Sequence, residues 1–192
     1  MATLTDNFDS YTDGDLNGQG SWSGSVEFDV QGTVVQAGAK AVAYLASSSN
    51  SISKDFTAST TGVQSIWGRV SDVTIDGRWS FRMASGASAI FYIKTNAGNV
   101  VYFDGATYTT LGAVSNNTWF QVECQFDAST DKARYRLNGG TWTAYASGTA
   151  VFTTLDRLYL VCDTATAGSS YWDTCADGSA PATTNSNFLA FM

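Results

Sequence analysis

Apolar and polar residues alternate along much of the chain between Val63 and Cys175. The clearest run is Trp119 to Phe126. Phe120, Val122, Cys124 and Phe126 share one parity, and Gln121, Glu123 and Gln125 share the other. A period of two puts successive side chains on opposite faces of a strand, one toward a core and one toward solvent or a ligand. After a five-residue loop, Ala133, Tyr135 and Leu137 repeat the pattern, with Arg134 and Arg136 on the outer parity. Asn138-Gly139 then supplies the left-handed backbone that a tight hairpin turn requires.

Read in the same way, the sequence predicts strands over 6–11, 26–30, 33–36, 41–46, 52–56, 64–73, 78–83, 89–94, 100–103 and 108–114. They continue over 118–126, 133–137, 141–145, 155–162 and 170–174. Turn signals fall between them at Asp76-Gly77, Ala97-Gly98-Asn99, Asp104-Gly105 and Asn116-Asn117. No segment carries a sustained helical period. Many short strands with regular turns predict an all-β fold, an antiparallel two-sheet β-sandwich. No linker, repeat or charge run divides the chain, so residues 1–192 read as a single domain. Its core spans about 6–176, and 177–192 form a tail or a final strand. The apolar end, Phe188 to Met192, is expected to dock onto the body or onto a partner.

A chain of 192 residues, 44% of them hydrophobic, buries a sizeable core and is not a disordered segment. The net charge of −7, with basic residues scattered, argues against nucleic acid as a partner. No apolar run approaches the length of a membrane span. The start, Met1 to Phe8, has neither a basic region nor an apolar stretch and does not read as a secretory signal. The three cysteines, Cys124, Cys162 and Cys175, form no CxxC pair. Cys124 and Cys162 sit in the apolar register of their strands, and two buried thiols are expected in preference to a disulfide, which stays the alternative. There is no histidine, which excludes Ser-His-Asp and Cys-His nucleophilic sets and makes a zinc site untenable.

The run Thr118 to Asp127, followed by Ala133-Arg-Tyr-Arg-Leu-Asn-Gly139, resembles the middle of laminin-G-like, concanavalin A-like jelly rolls. The opening Asn7 to Trp22 resembles the start of such domains. Leu155 to Val161, followed by Ser170-Tyr-Trp-Asp173, resembles their last strands, which usually pair with the first. The resemblance spans about residues 6–176 and implies a concanavalin A-like jelly roll, often glycan-binding.

Three kinds of site follow. Sugar-cleaving enzymes of this superfamily use paired carboxylates at fixed separation. This chain has two glutamates, Glu27 and Glu123, far apart in sequence, and lacks the dense Glu-x-Asp-x-x-Glu strand of the laminarinase-like branch. No catalytic residue is assigned and the chain is expected not to be an enzyme. Glu123 itself reads foremost as part of a solvated strand face. For metal, Asp13, Asp15 and Asn17 match the first half of a calcium loop, but Gly24 stands where a bidentate glutamate belongs. Asp9 or Glu27 with Asp173 is the alternative calcium set, implied by the resemblance. No cofactor is otherwise expected. For sugars, stacking needs aromatic rings beside amides and carboxylates. Trp79, Tyr92, Tyr102, Trp142 and Tyr145, with Gln121 and Glu123, are the candidate glycan-binding residues on an exposed sheet face.

The expected function is a non-enzymatic, lectin-like surface module on a virion. There it would serve as a structural, decoration or attachment protein, touching glycans and other particle proteins or itself. A secreted carbohydrate-binding domain, extracellular in location, and a polysaccharide-active enzyme of the same fold are the alternatives.

Overall fold

The computed structural model describes residues 4–177. The alternating segments become strands, named in chain order as β1 (Gly14–Asp15), β2 (Ser23–Gly24), β3 (Phe28–Gln31), β4 (Ala41–Tyr44), β5 (Asn50–Ser59), β6 (Thr61–Val70), β7 (Ser80–Ser85) and β8 (Ser88–Asn96). They continue as β9 (Asn99–Phe103), β10 (Tyr108–Ala113), β11 (Phe120–Asp127), β12 (Lys132–Leu137), β13 (Ala146–Ser147), β14 (Leu155–Cys162) and β15 (Ser170–Asp177). Among the described residues there is no helix.

Two antiparallel sheets form. One has eight strands in the order β1-β3-β4-β15-β6-β11-β12-β13. The other has seven, in the order β10-β9-β8-β7-β14-β5-β2. The parity of the sequence decides what each strand buries. Phe120, Val122, Cys124 and Phe126 are at most 1% exposed, whereas Gln121 and Gln125 face out. The two inner faces meet in one hydrophobic cluster that includes Trp22, Trp79 and Trp172. Trp79 packs edge-on to Phe120 at 5.0 Å and stacks with Trp172 at 6.4 Å.

Tight turns appear where the sequence places them. Asn138 and Gly139 have φ of 50° and 69°, and the Gly140 amide donates to the Leu137 carbonyl at 2.9 Å. Two left-handed central residues are what a primed hairpin turn demands. Ala97 and Gly98 do the same between β8 and β9.

Three expected strands are not formed. Residue 6 makes an isolated bridge to Cys175, closing the start of the described chain onto its last strand, and the chain then turns at Phe8 (φ 61°). Residues 33–36 are held by side chains instead of a ladder. Gln31 accepts from the amides of Thr33 and Val34, and Asp173 accepts from those of Gln36 and Ala37. Residues 141–145 are irregular, with one ladder-like bond from the Thr143 amide to the Tyr135 carbonyl before β13 resumes the pairing.

Arg78 is fully buried without a carboxylate partner among the described residues. Its guanidinium donates to the carbonyls of Tyr44, Ala46, Thr166 and Gly168 and lies 5.3 Å from the Tyr44 ring. Four acceptors and a ring face offset the cost of burying the charge. Cys124, Cys162 and Cys175 are buried free thiols. The expected tail, 177–192, lies outside the described residues except for Asp177, as does the docking segment Phe188 to Met192.

Candidate functional site

The outer face of the eight-stranded sheet gathers aromatic and polar side chains. Parity puts Ser65, Trp67 and Arg69 of β6 on this face, opposite Ile66 and Val70 of the core. In register, Trp67 lies between Asp173 of β15 and Gln121 of β11. Along one edge of this row, Trp119 meets Tyr171 edge-on at 6.5 Å, and the Arg69 guanidinium sits 5.2 Å over the Tyr171 ring. On the other side, Trp142 lies against Arg136 at 4.5 Å and Arg134 at 5.1 Å, and Tyr145, 45% exposed, lies 5.1 Å from Arg134. The hairpin turn at Asn138-Gly139 brings Trp142 back over these arginines. Thus Trp22, Trp79 and Trp172 fill the core, while Trp67, Trp119 and Trp142 all lie on one outer face.

The structure brings together four of the expected glycan-binding residues here: Gln121, Glu123, Trp142 and Tyr145. It removes two. Trp79 is fully buried, and Tyr102 is 7% exposed and stacked on Tyr135 at 4.4 Å, so neither belongs to an exposed face. Trp79 shares the parity of Phe81 and Met83, a signal already present in the sequence. Tyr102 lies in the unbroken apolar run Val100 to Phe103, which carries no parity. Tyr92 is outward-facing but on the seven-stranded sheet, where Arg82 lies 4.8 Å over its ring. Trp67, Trp119 and Tyr171 were missed, although each stands at the parity opposite a core residue.

Glu123 is 4% exposed, which corrects the expectation of a solvated carboxylate. Arg136 donates to it twice, Nε to Oε2 at 2.5 Å and Nη2 to Oε1 at 2.8 Å. The pair satisfies the carboxylate in place and leaves Gln121 and Gln125 as the neutral polar groups of β11. Asp173, also fully buried, is raised by burial despite accepting from the Gln36 and Ala37 amides.

The expected calcium ligands of the entry loop each carry a bond within the protein. Asp13 pairs with Lys40, Asp15 accepts from the Asn17 amide at 2.8 Å, and Asn17 Oδ1 accepts from the Gly24 amide at 3.1 Å. Those are the bonds of a self-capped turn. In the alternative set, Asp9 accepts from the Ala39 and Lys40 amides, while Glu27 accepts from Tyr44, Ser48 and Asn50. Asp173 is engaged elsewhere. Among the described residues, no group of three or more Cys, Asp and Glu side chains converges in a way that could hold a metal ion.

A second feature is an open cleft of about 590 Å³ on the seven-stranded side, lined by Ser25, Glu27, Asn50, Ser51, Val161 and the Arg82–Asp163 ion pair. Hydrogen bonds from Ser48 and Tyr44 hold the Glu27 carboxyl below its usual range. The two glutamates of the chain therefore occupy different sites, one in this cleft and one on the opposite sheet.

No protein-family model matches the chain, and no curated protein is similar to it in sequence. Solved structures are similar in shape. A sialidase aligns over 91% of this chain with a TM-score of 0.72 at 10% identity, and the chain spans 18% of that protein's length. A β-glucanase of Bacillus licheniformis aligns over 90% of this chain and 95% of its own, with a TM-score of 0.55 at 12% identity. The fold is a concanavalin A-like jelly roll. The catalytic domain of a glycoside hydrolase family 131 protein from Coprinopsis cinerea shares this jelly roll over 90% of the chain and 92% of its own, with a TM-score of 0.55 at 11% identity. At these identities the likeness concerns the fold alone.

Proposed function

We propose that this chain is a non-enzymatic, lectin-like module that binds glycans on the outer face of its eight-stranded sheet. The observation that carries the reading is that Trp67, Trp119 and Trp142 share that face with Gln121 and Gln125. Pyranose rings offer apolar faces for stacking and hydroxyls for amides, and Trp67, half-buried on β6, meets them with little ordering cost. Proteins named for action on glycans, a sialidase and a β-glucanase among them, share the fold, so the scaffold is compatible with sugar recognition. Two features favour binding over cleavage. The glutamates lie at separate sites, and Glu123 is bound bidentately by Arg136.

The test is a glycan array followed by calorimetry. Trp67→Ala and Trp142→Ala should each weaken binding by about tenfold or more, the range of a truncated aromatic anchor, with melting retained. Loss of neither affinity removes this face from the reading. Incubation with common polysaccharides should release no reducing ends. Turnover abolished by Glu123→Gln in a folded protein would make the chain an enzyme. We place the module on the surface of a virion or similar particle, on its acidic, lysine-poor composition. Mass spectrometry of purified particles tests that placement.

A further inference from the structure

We propose that the glycan taken by this face is an acidic polysaccharide, lying diagonally across the eight-stranded sheet from Arg69 to Arg134. The proposal rests on the glycan-binding reading above and names the class of ligand.

The distribution of cations carries it. Of the ten Lys and Arg residues, six form ion pairs with carboxylates. Arg78 is caged by carbonyls in the core. The remaining three, Arg69, Lys132 and Arg134, have no carboxylate partner among the described residues. By strand parity, all three project from the outer face of the same sheet. A chain with a net charge of −7 has thus concentrated its unneutralised cations where its outer tryptophans lie.

Arg134 shows how such a cation is prepared. Its Nε donates to Gln125 Oε1 at 2.7 Å, and its guanidinium lies 5.1 Å from the rings of both Trp142 and Tyr145. Its two terminal nitrogens donate to no described protein atom. The side chain is already ordered, so a bound anion gains charge-assisted hydrogen bonds with little further loss of entropy. Arg69 is held in the same manner, Nε on the Asn117 carbonyl at 2.9 Å and the guanidinium over Tyr171.

Acidic groups on the face do not cancel this. Glu123 is neutralised by Arg136, and Asp173 is buried beneath the Gln36 and Ala37 amides. Asp127 caps the turn at Ser129 and stands opposite Lys132 in register, so Arg69 and Arg134 are the cations of this face with no carboxylate opposite them. Asp15 and Asp29 belong to the β1–β3 edge, away from β12. At about 0.1 M salt, charges more than about 10 Å away are largely screened, so local cations dominate over the remote acidic surface.

Six residues along the strands and two strand spacings separate Arg69 from Arg134, about 22 Å in all. That length suits an extended oligosaccharide. Two arginines this far apart suit a chain with spaced acidic groups better than a nucleic acid, whose charge repeats at every residue.

The experiment uses the full-length chain and size-matched oligosaccharides at one ionic strength: a neutral gluco-oligomer, an oligouronate and a sulfated oligomer, with a single-stranded DNA oligomer alongside. An acidic oligosaccharide should bind about tenfold tighter than the neutral one, and Arg134→Gln should bring the ratio of acidic to neutral affinity to about one with melting retained. Lys132→Gln should reduce the preference in part. The uronate and sulfate arms separate carboxylate from sulfate recognition. Equal binding of neutral and acidic oligomers overturns the proposal and leaves glycan binding intact. Absence of binding to every oligosaccharide overturns both. Tighter binding of the DNA oligomer than of any oligosaccharide assigns the face to nucleic acid and overturns the proposal.

Discussion

Gly68 of β6 lies directly against the indole of Trp79 across the sandwich. A Cβ built on Gly68 would stand 2.6 Å from Nε1 and 2.7 Å from Cζ2 of that ring. The backbone at Gly68 is not left-handed, so space alone demands glycine here. Trp79 cannot yield easily, being wedged between Phe81, Phe120 and Trp172. Gly68→Ala is therefore expected to cost about 1–3 kcal/mol through overpacking. For a chain of this size each kcal/mol lowers Tm by roughly 2–4 °C. Calorimetry showing an unchanged Tm would mean that the aromatic stack can shift.

Asp6 ties the start of the described chain to the sandwich. It accepts from Tyr11 Oη at 2.6 Å, Lys54 Nζ at 2.8 Å, the Phe8 amide at 2.9 Å and Trp22 Nε1 at 2.9 Å. Burial alone would raise its carboxyl, but Lys54, Tyr11, Phe8 and Trp22 together hold it below the ordinary value. A depressed carboxylate stabilises the fold above its unfolded pKa, near 4, and that contribution fades as pH falls through the folded value. Melting should thus decline steeply below about pH 4, and Asp6→Asn should flatten that decline while lowering Tm at neutral pH. An identical acid profile for the variant would assign the loss to other carboxylates.

The three cysteines are buried, and Cys124 and Cys175 are driven well above ordinary thiol pKa values by desolvation. Thiolate is the reactive species, so the native protein should react slowly with a disulfide reagent. Denaturant should then release three equivalents of thiol without prior reduction. Fewer than three would reveal a bond or modification.

Asp13, Asp15 and Asn17 already have protein partners in Lys40, the Asn17 amide and the Gly24 amide. An ion bound only to the native state would raise Tm by mass action. Chelator is accordingly expected to leave Tm unchanged. A fall in Tm that calcium restores and Asp13→Ala abolishes would show a site in this turn.

The Phe120 to Phe126 alternation, the outward parity of Gln121, Arg134 and Arg136, and the turns at Ala97-Gly98 and Asn138-Gly139 were legible in the sequence. Each is local, set by the two-residue period of a strand and by the backbone freedom of glycine and asparagine. Parity also contained the sorting of Trp79 inward and Trp67 and Trp119 outward, once read against Phe81, Ile66 and Phe120. Segments 6–11, 33–36 and 141–145 escaped this reading because their backbone amides bond outside a regular ladder: Asp6 and Asn7 accept from Phe8 and Asp9, Gln31 accepts from Thr33 and Val34, Asp173 accepts from Gln36, and Thr143 alone in its segment donates to Tyr135.

What the sequence by itself determined is the strand period and its core face. Only the tertiary structure decided which strands became neighbours, because register joins residues far apart along the chain. That pairing set Trp67 between Asp173 and Gln121, closed Arg136 on Glu123 and brought Asp6 to Lys54. It also separated the cations with carboxylate partners from Arg69, Lys132 and Arg134, since an ion pair depends on distance in space and not on spacing in sequence.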